Sequence, residues 1–139
     1  MKKIFLDANV LVSVIKREYP VFPYAARVMS LADNKKFKVY TSATCLAIAF
    51  YFAEKKRGTV EAKKLLTLLA EKLMIADCGR AEVVAAAANK KVLDFEDGLE
   101  YYAALHAGCT FIVSEDVEDF YFSEMQVMRS EDFLRQIVL

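Results

Sequence analysis

The chain has 139 residues, of which 56% are hydrophobic, and its 19 basic residues balance its 19 acidic residues. A chain of this length is expected to form one domain that buries roughly two-thirds of the surface exposed by its unfolded form. The longest apolar run, residues 45–53, is much shorter than the ~20 residues that cross a bilayer. The sequence therefore excludes a membrane-spanning protein, and zero net charge excludes a global positive field that attracts nucleic acid.

The N-terminal sequence and the cysteines indicate the cellular compartment of the protein. MKKIFLDANV contains two lysines, but an aspartate interrupts its apolar run and no small-residue cleavage site is present, so no secretory signal is expected. Cys45, Cys78 and Cys109 are odd in number, widely spaced and flanked by apolar residues, which favours reduced core thiols over a redox or metal role. We therefore expect a cytoplasmic protein.

Five short apolar runs rich in β-forming residues occur along the chain, and the segments between the first four have helical periodicity. This alternation predicts an α/β fold, a three-layer α/β/α sandwich with a central, mainly parallel five-stranded sheet. The predicted strands are Ile4–Leu6, Lys38–Thr41, Leu73–Ala76, Thr110–Val113 and Gln126–Met128.

Capping residues predict where several helices begin and end. Ser42 is the predicted N-cap of a helix that ends in a basic turn at 55–57, with Gly58 as its stop. Thr59 is the predicted N-cap of the next helix, which carries a stripe of leucines. The alanine-rich segment 80–91 is predicted to be helical as well.

Acidic residues fall where predicted strands end or helices begin. Asp7 follows the first strand. Asp94 and Asp97 lie in the first turn of the helix before the fourth strand, and Asp116 and Asp119 follow that strand. In open parallel sheets, ligands bind beyond the carboxyl ends of the strands, where the strand order reverses. If the first and fourth strands are neighbours, Asp7 and Asp116 meet at that point.

Several carboxylates in one cleft require compensation. A pair ~4 Å apart repels by about 4 kcal/mol at an effective dielectric constant near 20, so a cluster implies raised pKa values or a bound divalent cation. Ligands that are all oxygen favour Mg²⁺ or Mn²⁺ over zinc. A cation held by a few aspartates is suited to phosphodiester hydrolysis because it lowers the pKa of a bound water.

Four segments, in order and over the expected length, resemble the PIN-domain superfamily of small metal-dependent nucleases, which includes the VapC-type toxins of toxin–antitoxin pairs. The resemblance implies a single PIN-like domain over 1–139 and a Mg²⁺- or Mn²⁺-dependent ribonuclease. It also implies RNA and an antitoxin protein as partners, and a homodimer. The segments are IFLDANVLV with its D-x-N motif, YTSATCLAIAFYFAEKK, DFEDGLEYYAALHAG and FIVSEDVEDFYFSEMQVMRSEDFL.

The resemblance also implies roles for single residues. Asp7, Asp97 and Asp116 match the metal ligands and catalytic carboxylates of the superfamily. Asn9 would orient Asp7 or a metal-bound water, and Ser114 would position the loop after the fourth strand.

Two further aspartates are less closely matched, and one position departs from the superfamily. Asp94 and Asp119 are auxiliary candidates, with helix or turn capping as the alternative. Ile48 stands where the superfamily usually has a glutamate. Glu54 does not replace that glutamate, because six residues further along a helix it points about 120° away.

Two alternatives to the ribonuclease follow. The absence of the glutamate suggests a PIN-fold module that binds nucleic acid or protein without catalysis. A phosphatase of the haloacid dehalogenase type would also place an aspartate after a strand, but it needs a second aspartate where this chain has Asn9.

The basic, tyrosine and histidine side chains outside the aspartate pattern could each have a structural or a functional role. Four basic groups are either solvated helix ends or contacts for an RNA backbone. Tyr101 and Tyr102 are expected in packing rather than base stacking, and His106 lies too far along its helix to join the carboxylates. The basic groups are Lys35-Lys36-Lys38, Lys55-Lys56-Arg57, Lys63-Lys64 and Lys90-Lys91.

Overall fold

A parallel five-stranded sheet forms the centre of the protein in a computed structural model that describes all 139 residues. The strand order is β3-β2-β1-β4-β5, and every neighbouring pair is parallel. This confirms the predicted α/β fold. The strands are β1 (Lys2–Leu6), β2 (Phe37–Ser42), β3 (Met74–Ala76), β4 (Phe111–Val113) and β5 (Gln126–Met128).

Seven helices cover the sheet in two groups. Helix α1 packs on α2 and α3, α3 packs on α4, and α2 packs on α7, whereas α5 and α6 pack on each other. The connection from β3 to β4 passes back across β2 and β1, and a right-handed crossover in that direction places its helices on the opposite face. The helices are α1 (Ala8–Lys16), α2 (Phe22–Ser30), α3 (Ala43–Arg57), α4 (Thr59–Lys72), α5 (Arg80–Ala88), α6 (Phe95–His106) and α7 (Ser130–Phe133), which continues as a π-helical turn over Leu134–Val138.

Strand β1 lies between β2 and β4, where the strand order reverses. Leu6 pairs with Val113, and the Asp7 amide then donates to the Val113 carbonyl at 3.0 Å. The residues that follow β1 and β4 are therefore neighbours at the carboxyl edge, as predicted. Because the chain leaves these two strands toward opposite faces, a crevice opens between them.

The core explains why β1 reads as a continuous apolar run. Ile4, Phe5 and Leu6 are fully buried, since both faces of the sheet are covered by helices. At the other end of the sheet, Phe133 of α7 packs edge-on against Phe37 and Phe111, with ring centroids 6.3 and 5.4 Å away. These contacts fix the C-terminal helix to the sheet. None of the helices is long and apolar enough to cross a membrane.

Most predicted helix ends are confirmed, with two corrections. Ser42 caps α3 by accepting from the Cys45 amide, and Gly58 follows α3 with φ of +84°. The prediction that Thr59 caps α4 is wrong: α4 includes Thr59, whose hydroxyl donates to the Glu54 carboxylate at 2.7 Å. The alanine-rich helix α5 ends earlier than predicted, at Ala88.

Candidate metal centre at the switch point of the sheet

A cleft of about 290 Å³ lies at the carboxyl edge of β1 and β4. It brings together the strand-end residues Asp7 and Asp116 with Asp97 from the start of α6. The structure thus gathers the three carboxylates predicted as ligands, although they are up to 109 positions apart in the sequence. The cleft is lined by Asp7, Ala8, Asn9, Val12, Ile48, Phe52, Glu96, Asp97, Glu100, Asp116 and Asp119.

Asp7 is held in one orientation by two hydrogen bonds. It is the N-cap of α1, where its Oδ1 accepts from the Ala8 amide at 2.6 Å. Its Oδ2 accepts from the Ser114 hydroxyl at 2.7 Å. The residue is only 7% exposed, so the strand-end aspartate is both a helix cap and an ordered carboxylate at the floor of the cleft.

Ser114 and Asn9 connect Asp7 to the loop after β4. The Ser114 oxygen accepts from the Asp116 amide and from Asn9 Nδ2, each at 3.1 Å. Asn9 Nδ2 also donates to Asp116 Oδ2 at 3.1 Å, and Asn9 Oδ1 accepts from the Glu115 amide at 3.2 Å. Asn9 therefore orients Asp116 directly and contacts Asp7 only through Ser114.

Asp97 enters the cleft from the first turn of α6. Asp94 is the N-cap of this helix and accepts from the Asp97 amide at 3.1 Å, so its capping role is observed. Burial raises the pKa of Asp97 to about 7, with further contributions from the negative charges of Asp94, Asp119 and Asp7. The pKa of Asp119 is also raised, by desolvation and then by Asp116 and Asp7. The cleft is therefore strongly negative.

Two further groups, Glu100 and Cys45, lie behind Asp7. Glu100 is 2% exposed, and its Oε1 accepts from the Cys45 thiol at 3.0 Å. Burial, followed by a hydrogen bond with Asp7, raises the pKa of Glu100 well above its usual range. Burial likewise raises the pKa of the Cys45 thiol. Asp7, Cys45 and Glu100 each offer a donor atom, and these atoms lie within 4.8 Å of one another.

Sequence reasoning missed Glu100, although a signal was present. Glu100 follows Asp97 by three residues, a spacing that puts both side chains on the same side of a helix. The predicted acids lie at strand ends and helix starts, whereas Glu100 lies further along, on the buried side of α6. That side is formed by Gly98, Glu100, Tyr101, Ala103 and Ala104.

Comparison with known proteins identifies the family. Residues 3–118 match the model of the PIN domain family. The chain belongs to the PIN domain family. Ribonuclease VapC1 of Aquifex aeolicus (strain VF5) is 29% identical over 139 residues, covering 95% of this chain and 93% of that protein. This membership leaves no support for the haloacid dehalogenase alternative.

Solved structures share the PIN-domain fold. VapBC-1 from nontypeable Haemophilus influenzae superposes with a TM-score of 0.71 at 15% identity, covering 93% of this chain and 98% of that chain. VapBC2 from Rickettsia felis, bound to a DNA fragment from its promoter, gives 0.67 at 16% identity and covers 91% and 97%. VapC20 of Mycobacterium tuberculosis, described as a toxin that cleaves the sarcin-ricin loop, gives 0.64 at 16% identity and covers 88% and 98%.

The donors of this PIN domain fit a divalent cation. The buried carboxyl groups of Asp7 and Glu100 lie together with no lysine or arginine in the cleft to balance them. Ile48 of α3 lines the same cleft but offers no donor. Carboxylate oxygens at this density suit a hard cation, which would offset the burial and the repulsion that together raise the pKa of Asp97.

Basic and aromatic side chains border the acidic cleft on one side. Phe52 lines both the cleft and a neighbouring groove that contains Lys16, Lys55 and Lys56. The ammonium group of Lys16 lies 5.1 Å from the centre of the Phe52 ring. Of the four basic groups noted in the sequence, the turn at 55–57 is therefore the one adjacent to the candidate site.

The remaining candidates lie outside the cleft. Tyr101 is 4% exposed and packs edge-on against Tyr102 and Phe122, as expected for a core residue. The Nδ1 atom of His106 contacts the carboxyl group of Glu82 on α5. All three cysteines are free, and Cys45 is the one that reaches the site.

Proposed function

We propose that this PIN-domain protein is an endoribonuclease that needs Mg²⁺ or Mn²⁺ to hydrolyse RNA phosphodiester bonds. The observation that carries the proposal is the convergence of Asp7, Asp97 and Asp116 at the switch point of the sheet, where Ser114 holds Asp7 and Asn9 holds Asp116. The similarity to ribonuclease VapC1 over nearly the whole chain supports the same reaction.

Three aspartates would bind the cation, and two polar residues orient two of them. Asp7, Asp97 and Asp116 would hold the cation, which when bound supplies a water of lowered pKa and stabilises charge on the phosphate oxygens. Ser114 keeps one Asp7 oxygen in a fixed direction, and Asn9 does so for Asp116. Without a cation, the negative cleft repels a phosphodiester, so substrate binding and catalysis depend on the same carboxylates.

The basic groove beside the cleft would attract the rest of an RNA strand. Lys16, Lys55 and Lys56 lie beside Phe52, which also lines the acidic cleft. Lysines in this position would neutralise backbone phosphates next to the one being hydrolysed. A single strand could also place a base against the Phe52 ring.

We further propose that the protein is the toxin of a toxin–antitoxin pair and is neutralised by a small antitoxin protein. The similarity to VapC20, a toxin by its description, and to the VapBC structures supports this assignment. Co-expression with the product of a short reading frame beside the gene should restore growth to cells that the protein alone inhibits.

The test of the ribonuclease is cleavage of a panel of RNAs in Mn²⁺, in Mg²⁺ and in EDTA. We expect cleavage in either metal and none in EDTA. Asp7→Asn should lower the rate by at least ~100-fold, since even a group behind a ligand is worth ~10–100-fold. Asp33→Asn is the matched control, because Asp33 is exposed and paired with Lys72. Absence of cleavage by the wild type, or equal rates for Asp7→Asn and wild type, would contradict the proposal.

A second candidate is a PIN-fold module that binds RNA or protein without turnover, and Ile48 favours it. This candidate predicts RNA binding in the same panel, unchanged by EDTA, with intact RNA recovered at the end. Recovery of cleaved RNA only in the presence of metal would exclude it.

A further inference from the structure

We propose that Glu100 is a fourth carboxylate ligand of the cation, delivered by α6 in place of the glutamate that α3 lacks at Ile48. This inference rests on the proposed function, since it concerns the same cation. It assigns a role to a buried acid that is not among the three aspartates proposed to hold that cation.

Geometry places Glu100 where a ligand is needed. Glu100 lies one turn after Asp97 on α6, and both residues line the cleft. Donor atoms of Glu100 and Asp7 lie within 4.8 Å of each other. Two oxygens bound to one cation at 2.0–2.1 Å are about 3–4 Å apart, so this spacing suits joint ligation after a small adjustment.

The hydrogen bonds of Glu100 leave its carboxyl group free to bind a cation. Its Oε1 accepts from the Cys45 thiol, and neither of its oxygens accepts from an amide, hydroxyl or ammonium group. Its other hydrogen-bond partner is the carboxyl group of Asp7, which is itself an acid and not a neutral or cationic donor. A purely structural buried glutamate would be expected to have neutral or cationic donors on both oxygens, because burial without them is costly.

The surroundings of Ile48 support the replacement of a glutamate on α3 by Glu100 on α6. Ile48 lines the cleft from α3, and Glu100 lines it from α6. The N-terminal part of α3 contributes Cys45 instead, whose thiol donates to Glu100. A protonated thiol is a poor ligand for Mg²⁺ or Mn²⁺ but can orient the glutamate, so α3 would act on the site through Glu100.

The test is Mn²⁺ binding by the full chain, measured by calorimetry and by electron paramagnetic resonance of the free ion. We expect Glu100→Gln, which keeps the size of the side chain, to weaken Mn²⁺ binding by ~10-fold or more. Adding Ile48→Glu to this variant should restore binding. Glu82→Gln is the matched control, since Glu82 is also a buried glutamate of the α5–α6 pair but contacts His106.

Thermal unfolding separates a ligand from a structural residue. A ligand role predicts that Glu100→Gln melts no lower than the wild type without metal, because glutamine keeps the size of the side chain and can still hydrogen-bond to Asp7. It also predicts that the rise in Tm on adding Mn²⁺ shrinks. A lower Tm without metal, combined with Mn²⁺ affinity within twofold of wild type, would overturn the proposal.

Failure of this inference can be distinguished from failure of the proposed function. If the wild type binds Mn²⁺ and Asp97→Asn abolishes binding, the cation site stands, and unchanged binding by Glu100→Gln overturns the role of Glu100 alone. If the wild type binds no Mn²⁺, both proposals are overturned.

Discussion

At the scale of single residues, the Ser114 side chain makes three hydrogen bonds within the site. Its hydroxyl donates to Asp7 and accepts from Asn9 and from the Asp116 amide. The residue is fully buried, so these bonds are shielded from solvent. One oxygen atom therefore links the Asp7 carboxylate, after β1, to the backbone of Asp116, after β4.

Ser114→Ala should lower metal affinity and RNA cleavage together, by ~10–100-fold, because the Asp7 carboxylate loses its donor and the Asp116 amide loses its acceptor. The free energy of unfolding should fall by about 1–3 kcal/mol, since a buried polar group loses its partner. Urea unfolding and Mn²⁺ titration measure the two effects. Ser30→Ala, which removes an exposed hydroxyl bound within its own helix, is the control. Normal cleavage by Ser114→Ala would contradict this role.

At the scale of elements, the contact between α5 and α6 fixes the position of Asp97 and Glu100. Gly98 lies between these two acids and is buried. A Cβ at this position would lie 2.6 Å from Val92 Cγ1 and 3.2 Å from Ala86 Cβ. The glycine is therefore required by the close approach of α5 and the loop that follows it, rather than by backbone conformation.

Gly98→Ala should destabilise the protein by about 1–3 kcal/mol through overpacking, although alanine usually stabilises a helix relative to glycine by roughly 1 kcal/mol. Urea unfolding measures the change. Gly79→Ala is the control, because a Cβ added at Gly79 would have no atom within 4 Å. The double variant with Val92→Ala should show a smaller loss than the sum of the single variants. An increase in stability for Gly98→Ala would contradict the packing argument.

At the scale of the whole molecule, the charges balance in number but not in space. The cleft contains carboxylates from the end of β1 onward: Asp7 directly after that strand, acids of α6, and acids of the loop after β4. Basic side chains lie beside it. Burial, and then the neighbouring carboxylates, raise the pKa of Asp97 from its usual 3.8 to about 7. The folded protein binds this proton more tightly than the unfolded chain does. Its stability without metal therefore falls as pH rises from about 4 to about 7, where the loss is complete.

Asp97→Asn should raise the Tm of the metal-free protein, and by more at pH 8 than at pH 5, because the charge that it removes forms only at the higher pH. Saturating Mn²⁺ should reverse the order at pH 8, since the wild type then gains binding energy that the variant lacks. Circular dichroism melts at the two pH values, with Mn²⁺ and with EDTA, test both statements. Asp33→Asn is the control for a surface aspartate. The prediction is contradicted if, without metal, Asp97→Asn raises the Tm at pH 8 by no more than it does at pH 5.

The sequence by itself determined the strands, their parallel arrangement and the positions of Asp7, Asp97 and Asp116 at strand ends and a helix start. These features depend on local periodicity and on the order of elements, both of which can be read along the chain. The tertiary structure alone decided that Asn9 contacts Asp116, and that Glu100 and Cys45 meet behind Asp7. Contacts between residues so far apart depend on which side of each helix is buried. Helix α6 has apolar residues around much of its circumference, so only its packing against the sheet and α5 determines that Glu100 points inward.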